Sequence, residues 1–391
     1  MSTLRSIFHP AEELIRYCAC PGVSEALSID VAGHAGRLYQ MLAVDFLKKR
    51  GLLDCYSWKA NRDEHAGGYS AAWHPALAKL LAHAASPQTL EDDPALEVSV
   101  VATLSMSPTV TRLLRLNQGQ RMLIGEYCLP PFSSGAVQLV PFKDGLRIEA
   151  HPSNCSCEFD FTTEEKGEPW NKFTRPRLKG LQTLPFLFGR DLTDDPNGLY
   201  AAQDSFEVEN LEALHEAFCI IDQYGEAYAD WIRFVVGHIR PIVSPSGGMI
   251  SGSSRNRLGE IELSVNVEPI KIAEMIIHEA SHQYFYLLEM ACDLVTDRTV
   301  EHRNPVLGRN RPLDKLLLAF HAFVNVENFL AGCLQRGLPC DGKLEQYYRN
   351  LTLETDEMFM PFRRSSYLTR EGELFRAALR DCRSLVKRRM L

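Results

Sequence analysis

The chain has 391 residues, of which 45% are hydrophobic and 24% are charged, and its formal net charge is −8. This length is enough for two or three domains with sizeable cores. The negative charge argues against a general nucleic-acid binder, because such a protein needs a cationic surface to neutralise phosphates.

The sequence also bears on membranes and redox compartment. The first residues lack a long apolar segment and no run of about 18 apolar residues follows, so neither a signal peptide nor a membrane span is predicted. The eleven cysteines are an odd number and form no CxxC pair. They suggest neither a disulfide framework nor a cysteine zinc site, and they favour a reducing cytoplasm.

The first region, residues 1–120, has a mainly helical pattern. Apolar residues recur at three- and four-residue spacing in residues 11–17, 35–50 and 75–85, and Gly51 is expected to cap the second helix. Breaks are expected at residues 92–94 and at Ser107-Pro108.

The second region, residues 121–240, begins with strands and ends with helices. Residues 136–140 and 146–150 flank Asp144-Gly145, a strong hairpin signal, and residues 157–161 alternate as a further strand. The polar residues 162–177 predict an exposed loop. Two amphipathic helices are predicted at residues 207–222 and 226–238.

The third region, residues 241–391, combines a strand with long helices. Residues 244–256 predict a flexible Gly/Ser-rich loop, residues 260–265 alternate as a strand, and Pro269 is expected to begin a helix. A loop at residues 304–312 precedes an apolar helix over residues 313–334. The basic tail, residues 363–391, is typical of a solvated helix face. The predicted fold class is α+β, mainly helical, with a central antiparallel sheet.

The helix that begins at Pro269 contains an HExxH motif. His278 and His282 are four residues apart, so they stand on one face of a helix and can bind one ion, and Glu279 lies between them. Apolar residues flank the motif on both sides, and a buried polar group without a partner costs a few kcal/mol. The sequence therefore predicts a metal site on this helix, which packs against a second helix. Two core histidines bonded to carbonyl groups are the alternative.

A third ligand is needed to hold the metal firmly, and Glu301 is one choice. It follows His282 with 18 residues between them, the spacing of gluzincin metallopeptidases. In that interpretation His278, His282 and Glu301 bind zinc, and Glu279 accepts a proton from the zinc-bound water. However, no Gly or Pro lies between residues 283 and 303, so the sequence predicts no turn that would return Glu301 to the site.

The other choice is His321, within the apolar helix over residues 313–334. The loop before this helix allows it to fold back on the motif helix, and an unpaired imidazole among Phe320, Phe323 and Val324 would be costly. A core histidine that is hydrogen-bonded within the protein is the alternative to a ligand.

Residues 250–332 resemble a known family. The resemblance is carried by the segments SGSSRNRLGEIELS, PIKIAEMIIHEASHQ and FHAFVNVENF, and by an Arg-Pro-Leu at residues 311–313. They are similar to the HExxH-motif peptide β-hydroxylases, dependent on iron and 2-oxoglutarate, that occur in gene clusters for ribosomally made, post-translationally modified peptides.

This resemblance implies an enzyme that hydroxylates a β-carbon of a precursor peptide. It implies Fe(II) bound by His278, His282 and His321, with the distal carboxylate of 2-oxoglutarate bound by Arg311 or, as a second choice, Arg309. Arg311 as a mere loop cap is the alternative to that role. Glu279 would then orient a ligand or water instead of acting as a base. A non-enzymatic peptide-binding protein is the remaining interpretation, beside the zinc peptidase.

Overall fold

A computed structural model describes the chain in part, and it combines helices with small sheets. The mixture of helix and strand expected from the sequence is confirmed. The described residues are 12–21, 41–58, 80, 94–103, 106–116, 123–124, 127–128, 135–142, 145–151, 155–160, 187–188, 208–225, 227–242, 248–255, 257–339, 342–363 and 365–390.

The helices include two of 23 residues each, which are the longest of the described part. In chain order the helices are α1 (Glu12–Ala19), α2 (residues 41–49), α3 (Pro94–Thr103), α4 (Val208–Tyr224), α5 (Tyr228–Val235), α6 (Pro269–Ala291), α7 (Leu313–Gln335), α8 (Lys343–Phe359) and α9 (Arg370–Met390).

The strands are short, with eight residues in the longest that is described. They are β1 (Tyr56–Trp58), β2 (Met106–Pro108), β3 (Arg112–Leu116), β4 (Leu123–Ile124), β5 (Tyr127–Cys128), β6 (Gly135–Phe142), β7 (Gly145–His151), β8 (Cys155–Asp160), β9 (Leu187–Phe188), β10 (His238–Ile242), β11 (Ser251–Ser253), β12 (Glu260–Ser264), β13 (Glu301–Asn304) and β14 (Arg309–Pro312).

The chain divides into two compact units that are not contiguous along the sequence. One unit comprises residues 1–31, 200–236 and 241–391, and the other comprises residues 32–199 and 237–240. The three regions predicted above are contiguous, so their boundaries differ from those of the units. The HExxH motif belongs to the first unit.

The second unit contains an antiparallel sheet in the order β3-β6-β7-β8. The register pairs Phe142 with Gly145, so the predicted hairpin around Asp144-Gly145 is confirmed. Alternate residues of its strands are fully buried, as expected for a sheet with one face on a core. In the same unit the buried Glu97 carboxylate accepts hydrogen bonds from Tyr56 and Arg112.

The first unit is helical around α6 and α7, which pack along each other. The ring of Trp231 on α5 stacks on Tyr284 of α6 at a centroid distance of 4.2 Å, and the Tyr284 hydroxyl donates to the Trp231 carbonyl oxygen. Among the described helices, α7 is long and apolar enough to cross a membrane, but 83% of its apolar window is buried within the protein. Such burial is typical of a core helix.

Several predicted elements in the helical regions are confirmed. Helices begin at Pro269 and at Leu313 as expected, and Gly51 follows α2 with a φ of +66°, a backbone conformation that favours glycine. The strand expected at residues 260–265 is β12. Most of residues 75–85 and all of residues 162–177 lie outside the described part.

Other expectations are wrong. Residues 304–312 are not a plain loop, since β13 and β14 pair there as a hairpin. The helix expected to reach His238 ends at Val235, and His238 begins β10. Part of the predicted flexible loop at residues 244–256 is strand β11.

Candidate metal centre

Helix α6 carries the HExxH motif through the core of its unit. Pro269 occupies the first turn, where its missing N–H has no helical partner to lose. Residues on every side of the helix are buried, as the apolar flanks of the motif predicted. The helix ends at Ala291, and the extended backbone of Cys292 terminates it without a Gly or Pro.

The motif residues come together on this helix. Ligand atoms of His278, Glu279 and His282 all lie within 4.8 Å of one another. The centroids of the two imidazole rings are 4.5 Å apart, and both histidines are half-buried. The ring of Phe323 on α7 lies beside His278, with 5.8 Å between the ring centroids. The donor set is thus two imidazoles beside one carboxylate.

His278 is in the protonation state that a metal ligand needs. Burial, together with the neighbouring His282, lowers its pKa to about 4 against the opposing effect of the Glu279 carboxylate. The imidazole is therefore neutral near pH 7 and has a free lone pair.

Glu279 is held by three hydrogen bonds. Ser251 Oγ donates to Oε1 and Ser253 Oγ donates to Oε2, each at 2.6 Å. The third donor is His282 Nδ1, at 3.2 Å from Oε2. Burial by itself would raise the pKa of this carboxyl, but His282, His278 and the Ser251 hydroxyl outweigh it and lower the pKa to about 2. Glu279 is therefore a carboxylate whose two oxygens both have partners.

The contact with Glu279 determines which nitrogen of His282 is available to a metal. A carboxylate can only accept, so Nδ1 of His282 carries the proton and donates it. The lone pair of the neutral ring is then on Nε2. This is the carboxylate–histidine arrangement that commonly orients a metal-binding imidazole.

His321 lies in α7 with a partner elsewhere in the protein. Its Nε2 donates to the carbonyl oxygen of Ala19, at the end of α1, at 2.9 Å, while its ring packs against Phe375. Asn325 donates to the same carbonyl oxygen. Burial lowers the pKa of His321 to about 3, so the ring is neutral. In the described part of the chain His321 does not belong to the group formed by His278, Glu279 and His282.

The remaining predicted residues lie on the β13–β14 hairpin. Glu301 is exposed on β13 and pairs in register with Pro312. Among the described residues, it does not belong to the group of His278, Glu279 and His282. The chain does leave the helix before Glu301, because α6 ends at Ala291 although no Gly or Pro lies between residues 283 and 303. Arg309 is exposed on β14, and Arg311 is half-buried there, directly before α7. The roles of His321, Glu301, Arg309 and Arg311 stay predictions.

Ser251 and Ser253 were missed by the sequence reasoning. They lie in the segment interpreted as flexible because of its Gly and Ser residues. The signal that could have found them is the Ser-Gly-Ser spacing, which on a strand places two hydroxyls on one face.

No protein-family model and no curated protein matches this chain.

Proposed function

We propose that the protein is a peptide hydroxylase that depends on Fe(II) and 2-oxoglutarate and acts on a β-carbon of a ribosomally made precursor peptide in the cytoplasm. The observation that carries the proposal is the group of His278, His282 and a hydrogen-bonded Glu279 on α6. The resemblance of residues 250–332 to the HExxH-motif peptide β-hydroxylases supports the choice of chemistry. We further propose an α+β arrangement in which α7 supports the metal-binding helix beside a central antiparallel sheet.

The donor set fits a divalent ion of the first transition series. Neutral imidazoles suit iron and zinc, and both histidines present one face of α6. His278 and His282 would hold the ion, with Glu279 as the partner of His282 Nδ1. When bound, iron would let O2 oxidise 2-oxoglutarate to succinate and CO2, with one oxygen atom entering succinate and the other inserted into a carbon–hydrogen bond of the peptide.

Few protein ligands are an advantage for this chemistry. A metal held by only a few side chains would keep positions open for 2-oxoglutarate and O2. His278 and His282 would supply two of the ligands, and a third would hold the ion more firmly. His321, the third ligand expected from the sequence, would have to leave the Ala19 carbonyl oxygen to bind through Nε2.

Strand β11 offers a place for an extended peptide. Ser264 N donates to Ile250 O at 2.8 Å, so this pair is hydrogen-bonded and the next residue of β11, Ser251, directs its backbone N–H and C=O away from β12. Ser253 does the same two residues later. Among the described strands β11 is the last in its sheet, and a peptide added to its edge would lie beside α6.

The arginines of the β13–β14 hairpin are suited to bind the cosubstrate. Arg311 is half-buried directly before α7, and a guanidinium can bind a carboxylate through two parallel hydrogen bonds. We propose Arg311 for the distal carboxylate of 2-oxoglutarate, with Arg309 as the second choice.

The test is a reaction with anaerobically purified protein. The protein is loaded with Fe(II) and incubated with 2-oxoglutarate, O2 and a precursor peptide encoded beside it, and the peptide is analysed by mass spectrometry. We expect the addition of one oxygen atom that requires both iron and 2-oxoglutarate and that is lost in His278→Ala and His282→Ala. A peptide that is cleaved, or unchanged by an iron-loaded protein, would refute the hydroxylase.

A zinc hydrolase is the second candidate, and Glu279 is the observation that favours it. This carboxylate is ionised and lies beside the two imidazoles, as the base of an HExxH peptidase does. Its three hydrogen bonds weigh against that role, because a base must direct a free lone pair at water. Tight zinc with peptide cleavage would support the hydrolase, and a protein that binds no metal would support a non-enzymatic peptide-binding role.

A further inference from the structure

The hydroxyl groups of Ser251 and Ser253 hold the Glu279 carboxylate from one side. Each hydroxyl contacts a different carboxylate oxygen, and both distances are 2.6 Å. Hydrogen bonds from hydroxyls to carboxylates of this length are charge-assisted and stronger than neutral ones. We call the two hydroxyls and the carboxylate the serine clamp.

The clamp follows from strand geometry. Side chains of residues two apart in a strand point to the same face, so Ser251 and Ser253 both reach α6. At Gly252 the side-chain position is on the other face, where an added Cβ would lie near a carboxylate oxygen of Glu262 on β12. The pairing of β11 with β12 over residues 251–253 fixes the spacing of the two hydroxyls.

The clamp also determines how Glu279 can serve His282. With Oε1 occupied by Ser251, and Oε2 shared by Ser253 and His282 Nδ1, the carboxylate cannot rotate without losing a hydrogen bond. The imidazole of His282 is therefore kept in one tautomer and one orientation, with Nε2 directed away from Glu279.

We propose that Ser251 and Ser253 are positioning residues of the metal centre, which act through Glu279 to preorganise His282 for a divalent transition metal. The inference rests on the proposed metal site but not on hydroxylation, because it concerns the ion and its ligands alone. Strand β11 would then link the sheet to the metal-binding helix.

Cobalt(II) titration of the metal-free full chain tests the inference. The absorption of bound Co(II) reports both affinity and coordination, and no substrate is needed. The variants are Ser251→Ala, Ser253→Ala, their combination, and the matched threonine variants that keep the hydroxyls. Two controls alter neighbouring positions outside the clamp: Gly252→Ala on the same strand, where an added methyl group finds ordinary space, and Ser281→Ala on α6, whose hydroxyl bonds to Ile277 O.

We expect the double alanine variant to bind Co(II) about 10- to 100-fold more weakly and with a changed absorption spectrum, because the loss of residues that orient a ligand has that effect. Each single variant should lose less, and the threonine variants and both controls should match the wild type. Circular dichroism establishes that each variant is folded, and if the double variant is not, the single variants decide.

The two levels of the proposal fail differently. A wild-type chain that binds Co(II), and a folded double or single alanine variant that binds it with the same affinity and spectrum, would overturn the serine clamp alone. A wild-type chain that binds no Co(II) would overturn the metal site and the clamp together. If the alanine variants show the expected loss of Co(II) binding but no peptide is hydroxylated, the positioning role would stand and only the proposed reaction would be refuted.

Discussion

His321→Ala separates a structural histidine from a metal ligand. In the wild type the ring is fully buried, donates to Ala19 O at 2.9 Å, and lies 4.9 Å from the Phe375 ring centroid. Within one unit this imidazole joins α7 to Ala19 of α1 and to the rings of Trp231 on α5, Phe285 on α6 and Phe375 on α9. The structure therefore predicts a variant whose defect is in stability and not in metal binding.

The magnitude follows from what the substitution removes. The Ala19 carbonyl oxygen keeps its second donor, Asn325 Nδ2 at 2.9 Å, so no acceptor is left alone and the lost hydrogen bond costs about 1 kcal/mol. The emptied space of the ring adds about 2 kcal/mol, by comparison with other truncations in a core. The free energy of unfolding should fall by about 3 kcal/mol.

Urea unfolding of the metal-free protein measures this change, and Co(II) titration of the same preparations measures the site. His278→Ala is the matched control, because its half-buried ring should cost little stability while its loss removes a ligand. If His321→Ala instead abolished metal binding and left the unfolding free energy unchanged, His321 would be a ligand and the structural argument would be refuted.

Three further predictions concern stability. His321 has an ordinary pKa of 6.5 and a folded pKa of about 3, so below pH 6.5 the unfolded chain binds a proton that the folded one does not, and stability falls as pH decreases. Urea unfolding should show about 2 kcal/mol of this loss between pH 7 and pH 5, and His321→Ala should lack that component. Arg112→Leu should cost about 3 kcal/mol in the second unit, because it removes the guanidinium at 2.8 Å from the buried Glu97 carboxylate, and an unchanged urea midpoint would contradict this. Gly372→Ala should lower the melting temperature by several degrees, because the added methyl group would overlap the carbonyl oxygen of Leu294, and a melting temperature equal to that of the wild type would show that the backbone yields freely.

The local parts of the metal centre were predictable from the sequence. A four-residue spacing places two side chains on one helical face whatever surrounds the helix, so His278 and His282 are paired by the helix alone. Apolar flanks predicted that this helix is buried, and Pro269 predicted where it begins. The strand hairpin around Asp144-Gly145 is another local feature, because a two-residue turn determines its own register.

Contacts between distant segments could not be predicted in the same way. The partner of His321 is a backbone carbonyl 302 residues away, and backbone groups carry no sequence signature. The same holds for the end of α6 at Ala291, which no Gly or Pro announces. Hydrophobicity indicated that His321 needs a partner, but it could not distinguish a metal ion from Ala19.

By itself, then, the sequence determined the residues that can bind a metal, because helical periodicity is a property of neighbours along the chain. The tertiary structure decided what surrounds them: two serines of β11 hold Glu279, and α1 occupies His321. The physical reason is that a hydrogen bond needs atoms within about 3 Å, and only the packing of separate elements brings such atoms together.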